Sequence, residues 1–142
     1  KSETLKQGSD ATILAIGSMV EPALQTAHML EDKGISLEVI DGRFIKPLDE
    51  DAICSSALRT GVLITVEENV LEGGFGSAVL ECLERNGVYG VAVKRLGIPD
   101  QFIQHGGIAE LRAELGLDSK GIYRSIRNFL SAKATRSFAV GR

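Results

Sequence analysis

The chain of 142 residues, 44% of them hydrophobic, is long enough to bury a single core and reads as one domain that needs no staples. Its net charge of −3, with acids and bases interspersed, excludes the basic stripe of a nucleic-acid binder. No apolar run approaches the ~20 residues of a membrane span. Cys54 and Cys82 have no second Cys or His at ligand spacing, which speaks against zinc and against a disulfide framework. Both are expected as buried thiols on helix faces, in a soluble cytoplasmic protein. The first residues, from Lys1, carry neither a signal-peptide core nor an Arg-rich transit pattern and read as mid-protein sequence, so the chain is expected to be an excised piece of a longer one.

In chain order, Thr12 to Ile16 is a nearly all-apolar run and predicts a strand buried on both faces. Ser18-Met19-Val20-Glu21 has the form of a capping box and predicts a helix with Val20, Leu24, Ala27 and Leu30 on its inner stripe, stopping near Gly34. Ser36 to Ile40 is a strand that carries Glu38 and so belongs nearer a sheet edge. Asp49 is placed to cap a second helix, running to about Thr60 with Ile53, Ala57 and Leu58 inward. Val62 to Val66 is the second all-apolar strand. A third helix follows, with Phe75, Val79, Cys82 and Leu83 on its face, ending near Gly87. Val91 to Leu96 carries Lys94 and Arg95 and reads as another outer strand. A short helix around Ala109 to Leu115 precedes a last one from about Ser119, with Ile122, Ile126, Phe129 and Leu130 on its face. Residues 1–131 form the domain, and 132–142, with no sustained apolar period, are expected as a disordered or vector-derived tail.

Apolar strands alternating with amphipathic helices predict an α/β fold of three layers, α/β/α, around a mostly parallel sheet. The two all-apolar strands occupy the centre, giving the order second, first, third, fourth, with Gly17, Arg43 and Glu67 at one carboxyl edge. Ligands of open α/β sheets collect at that edge.

The chemical candidates are few. Arg43, in Asp41-Gly42-Arg43-Phe44-Ile45-Lys46-Pro47-Leu48-Asp49, stands between a strand and a helix start. A guanidinium there can grip a phosphate or carboxylate with two parallel hydrogen bonds, Lys46 adding a second positive charge. The same spacing allows plain pairing with Asp41 or Asp49. Gly73-Gly74-Phe75-Gly76 opens a helix, as phosphate-cradling loops do, but it lacks their glycine spacing and a Walker lysine, and Glu67 and Glu68 just upstream would repel an anion. A turn and close packing are therefore expected of it. Adjacent strand residues point to opposite faces, so at most one of Glu67 and Glu68 enters any shared cleft, and domain or subunit contacts are their expected use. His105, in a Gly-flanked loop, is a candidate proton carrier or substrate contact, or simply a loop histidine. No Ser-His-Asp set, metal cluster or carboxylate dyad assembles.

Read together, the Arg43 run, Val66-Glu67-Glu68, Gly73-Gly74-Phe75-Gly76-Ser77 and Ile98-Pro99-Asp100-Gln101-Phe102-Ile103-Gln104-His105-Gly106 resemble the carboxyl-terminal domain of the 1-deoxy-D-xylulose-5-phosphate synthase family, in the transketolase superfamily. The resemblance runs from about Ser2 to about Leu130. It implies a five-stranded sheet with a short antiparallel strand around Glu3 to Lys6 at one rim. It also implies an enzyme that joins decarboxylated pyruvate to glyceraldehyde 3-phosphate, using thiamine diphosphate and magnesium held by preceding domains, and that is a homodimer when full length. This piece alone would bind no cofactor and be inactive. Arg43 matches the family arginine that holds the acceptor's phosphate; Lys46, Glu67, Glu68 and His105 match the pattern without an assigned role. The alternatives are the corresponding domain of a 2-oxo-acid dehydrogenase beta subunit or a transketolase, and a non-catalytic nucleotide-sensing α/β module.

Overall fold

The computed structural model describes residues 3–43, 48–71, 73–98 and 113–140. Five strands, β1 (Glu3–Lys6), β2 (Ala11–Ala15), β3 (Leu37–Asp41), β4 (Val62–Val70) and β5 (Ala92–Ile98), form one sheet in the order β1-β3-β2-β4-β5. The pairs β3-β2, β2-β4 and β4-β5 are parallel, and β1 alone runs antiparallel, at the rim against β3. The expected order of the main strands is therefore the one observed, with the two all-apolar strands adjacent at the centre. Every residue of β2 is buried.

Side-chain alternation along the strands divides the interior into two cores. Ala11, Ile13, Ala15, Leu37, Val39, Val62, Ile64 and Val66 face one layer, where α1 (Val20–Glu31) packs on the last helix, α4 (Ser119–Val140), through Ala23, Ala27, Leu30, Ile122 and Ile126. Leu14, Ile40 and Leu63 face the other, built by α2 (Glu50–Thr60) and α3 (Phe75–Arg85) through Ile53, Ala57, Phe75, Val79, Cys82 and Leu83. The same period of two sends Thr65 and Glu67 toward α3, beside Leu63.

Several local expectations are corrected. The Ser18 capping box does not form: Gly17–Met19 is a turn of 3-10 helix, Met19 stands at the head of α1 with no side-chain cap, and the Ser18 hydroxyl donates to Glu68 instead. The inner stripe of α1 is Ala23, Thr26, Ala27 and Leu30, with Val20 and Leu24 at its margin. Asp49 does cap α2, accepting from the Ala52 amide at 3.2 Å. Leu58, expected inward, is 66% exposed, because the buried stripe of α2 runs through Ile53, Ser56 and Ala57 and the next residue turns away from it. The backbone of α4 is described as far as Val140. The short helix expected around 109–115 is described only from residue 113.

Candidate functional site at the carboxyl edge of the sheet

Parallel strands bring their carboxyl ends to one edge. The Ala15 carbonyl at the end of β2 accepts from the Gly42 amide at 2.9 Å, and the Ile16 amide donates to Val66 at 3.3 Å. The turns after β2 and β3 are thus stitched together next to β4, and Gly17, Gly42 and Arg43 lie along the same edge. Gly42 is required there: a Cβ on it would come within 2.9 Å of the Phe75 ring and 3.3 Å of Ile16.

Arg43 is more than half exposed, yet its guanidinium is engaged. Nη2 lies 2.6 Å from Glu3 Oε1 and Nε lies 3.4 Å from Asp41 Oδ2. Glu3 and Asp41 are direct partners in the antiparallel pairing of β1 and β3, where two like charges repel, and Arg43 bridges them. Of the two local partners foreseen for Arg43, Asp41 is used, while Asp49 caps α2. Glu3 escaped the sequence reading, since the signal for it is a strand register forty residues away in the chain.

Glu67 is fully buried, which corrects the expectation that it serves contacts with another domain or subunit. Its two carboxylate oxygens accept from the Phe75 amide at 2.8 Å and the Gly76 amide at 2.7 Å. Gly74, at the head of α3, supplies no capping side chain. The glycine turn does aim helix amides at an anion, and that anion is the protein's own carboxylate. The fit is close: a Cβ on Gly76 would stand 2.7 Å from the Thr65 hydroxyl and 3.0 Å from both Glu67 Oε2 and Arg95 Cδ. Arg95 donates to the Ser77 hydroxyl at 3.2 Å, which in turn donates to the Leu71 carbonyl at 2.7 Å, tying down the turn. The buried Thr65 hydroxyl has no hydrogen-bond partner among the described residues. Glu68, half-buried, points the other way and accepts from Ser18. Lys46 and His105 lie outside the described residues.

Two other polar clusters serve the scaffold. At the opposite edge, Glu38 is held by Arg59 at 2.6 Å and by the Thr12 hydroxyl at 3.0 Å, while Arg59 also donates to the Gly8 carbonyl. Across α2 and α3, Arg85 and Asn86 donate to Glu50 at 2.6 and 2.8 Å. Beside them burial pushes the Cys82 thiol up to about 12, with the Cys54 thiol and the Glu50 carboxylate adding to it, so it stays protonated and unreactive. An open groove of about 370 Å³, lined by Leu80, Leu83, Val88, Tyr89, Val91 and Val93, lies between α3 and the start of β5, away from Arg43.

Among the described residues, the carboxyl edge therefore presents a half-exposed guanidinium, that of Arg43, paired with the carboxylates of Glu3 and Asp41. Among the described residues no group of three His, Cys, Asp or Glu side chains is placed to hold a metal ion. Among those residues, too, no helix is long and apolar enough to cross a membrane.

Comparison with known proteins agrees with this architecture. The chain is 54% identical over 131 residues to 1-deoxy-D-xylulose-5-phosphate synthase 1 of Geobacter sulfurreducens, which covers 92% of the chain and 21% of that protein. It is 48% identical over 137 residues to 1-deoxy-D-xylulose-5-phosphate synthase of Heliobacterium modesticaldum, covering 96% of the chain and 21% of that protein. The chain thus spans about a fifth of the length of these relatives. Among solved structures, a split-gene transketolase described as an inactive beta4 tetramer superposes with a TM-score of 0.81 at 35% identity, over 92% of this chain and 41% of that one. The transketolase of Campylobacter jejuni shares the fold, with a TM-score of 0.60 at 23% identity, over 89% of this chain and 18% of that one. Residues 1–122 match the family described as Transketolase, C-terminal domain, and the chain belongs to that family.

Proposed function

We propose that the chain is the carboxyl-terminal domain of a 1-deoxy-D-xylulose-5-phosphate synthase, which condenses pyruvate with glyceraldehyde 3-phosphate and releases CO2, and that Arg43 holds the phosphate of the acceptor. The observation that carries the first part is the identity of about half of all positions, across nine-tenths of the chain, to proteins bearing that name. Thiamine diphosphate with magnesium, bound by the rest of the longer protein, supplies the decarboxylation chemistry. The full protein is a cytoplasmic homodimer, and this domain contributes binding and contacts with the preceding domains.

For Arg43 the support is position and energy. It stands at the edge where ligands of open α/β sheets collect. Its pair with Glu3 joins two side chains that are each more than half exposed, and such pairs contribute about 0.2–1 kcal/mol. A charge-assisted hydrogen bond to a phosphate contributes roughly 1.5–3 kcal/mol, so the phosphate wins the guanidinium. In the longer enzyme Arg43→Ala should lower kcat/KM for glyceraldehyde 3-phosphate by about 10- to 150-fold and that for unphosphorylated glyceraldehyde far less. Lysine should rescue only in part, since a point charge does not reproduce the planar fork. Equal losses with both acceptors, at unchanged melting temperature, would show that Arg43 does not read the phosphate.

The 35% identity to a split-gene transketolase favours one second reading, a transketolase domain. It is separated from the first by the donor: CO2 release from pyruvate belongs to the synthase, ketose-donor turnover to the transketolase.

A further inference from the structure

The two carboxylates on Arg43 are not equivalent. Asp41 closes β3, its side chain is 19% exposed, and it takes Nε from behind. Glu3 lies on the rim strand β1, its side chain is 53% exposed, and it takes Nη2 at the outer end of the fork. Next to Glu3 the β1–β3 register shifts between Thr4 and Lys6, so the pairing that carries Glu3 is short and irregular. A carboxylate sheltered in the sheet sets the direction of the guanidinium, whereas one on an exposed rim side chain can swing away.

We propose that Glu3 is a specificity-determining residue: it fills the outer corner of Arg43 when no ligand is present and yields it to a phosphate monoester but not to weaker anions. Asp41 acts as a positioning residue, holding Nε so that the terminal nitrogens face outward. The inference rests on the reading of Arg43 as the phosphate contact. A monoanionic carboxylate or nitrate brings the same charge as Glu3 and must displace a partner already tethered beside Arg43, so it gains little. A phosphate monoester carries a charge of about −1.5 to −2 near neutral pH and three acceptor oxygens, and it displaces Glu3. Unphosphorylated aldehydes ignore the corner altogether.

The test uses the longer enzyme with Glu3→Gln, Asp41→Asn and Arg43→Ala, steady-state kinetics with glyceraldehyde 3-phosphate and with glyceraldehyde, and inhibition by inorganic phosphate and by nitrate. For Glu3→Gln the KM for the phosphorylated acceptor should fall about 1.5- to 5-fold, the span expected for losing an exposed competing pair, with kcat and the KM for glyceraldehyde unmoved. Nitrate should become a measurable inhibitor of that variant and phosphate a tighter one. Asp41→Asn should raise the KM for the phosphorylated acceptor alone. A Glu3→Gln enzyme whose KM for glyceraldehyde 3-phosphate is unchanged or higher, or moves equally for both acceptors, would overturn the role of Glu3 even where Arg43→Ala is phosphate-selective. An Arg43→Ala enzyme equally impaired with both acceptors would overturn the underlying reading, and this inference with it.

Discussion

A fully buried carboxylate is costly unless its oxygens are satisfied, and Glu67 meets that condition with two backbone amides at the start of α3. Glu67→Gln keeps the shape but turns one acceptor into a donor that faces an N–H. The loss should be about 1.5–3 kcal/mol, read as a lower urea midpoint at unchanged slope. A shift below about 0.5 kcal/mol would mean the amides find water instead. Gly76→Ala tests the same spot from the other side. Alanine normally favours a helix over glycine by about 1 kcal/mol, but here the methyl meets Thr65, Glu67 and Arg95, so the variant should be less stable than wild type. These contacts were not legible in the sequence. Glu67 and Glu68 could be assigned to opposite faces of a strand, but which face met the glycine turn depends on the packing of α3. Arg43 was half legible: its pairing with Asp41 follows from adjacency, and its pairing with Glu3 depends on a register that only the folded rim strand sets.

Among the elements, the strands were read most fully, because the all-apolar runs at Thr12 to Ile16 and Val62 to Val66 leave no choice but the sheet centre. Helix faces were less secure where a stripe held small or polar residues, as Ser56 beside the outward Leu58 shows. The Ser18 hydroxyl satisfied the pattern of a cap but found Glu68 across the edge instead. The joint between α2 and α3 makes a pH prediction. Hydrogen bonds from Asn86 and Arg85 hold the Glu50 carboxyl below its ordinary range. A lowered folded-state value means the contribution is present above the unfolded value, about 4.3, and is lost as pH falls through the folded one. Wild type should therefore be more stable than Glu50→Gln at pH 7, and the gap should narrow as the pH falls through the carboxylate range and close once Glu50 is protonated in both states; a gap that persists under fully acidic conditions would show that packing, not charge, joins the helices. The neighbouring thiols supply a second check. Under native conditions at pH 8 iodoacetamide should modify the half-buried Cys54 well before Cys82, which should react only on denaturation. Equal rates would mean that α2 and α3 separate readily.

For the whole molecule, the parallel sheet gathers Gly17, Arg43 and the Ser18–Glu68 pair at one edge and assigns the opposite edge to a structural tie of Glu38, Arg59 and Thr12. Among the described residues no group of three His, Cys, Asp or Glu side chains is placed to hold a metal ion. The chain spans about a fifth of the length of the relatives it matches. The most direct measurement incubates the longer protein with pyruvate, glyceraldehyde 3-phosphate, thiamine diphosphate and magnesium. The proposal predicts 1-deoxy-D-xylulose 5-phosphate and CO2 in equal amounts, with both lost when glyceraldehyde 3-phosphate is left out. Turnover of a ketose donor in place of pyruvate, or no turnover of either by a folded protein, would contradict it.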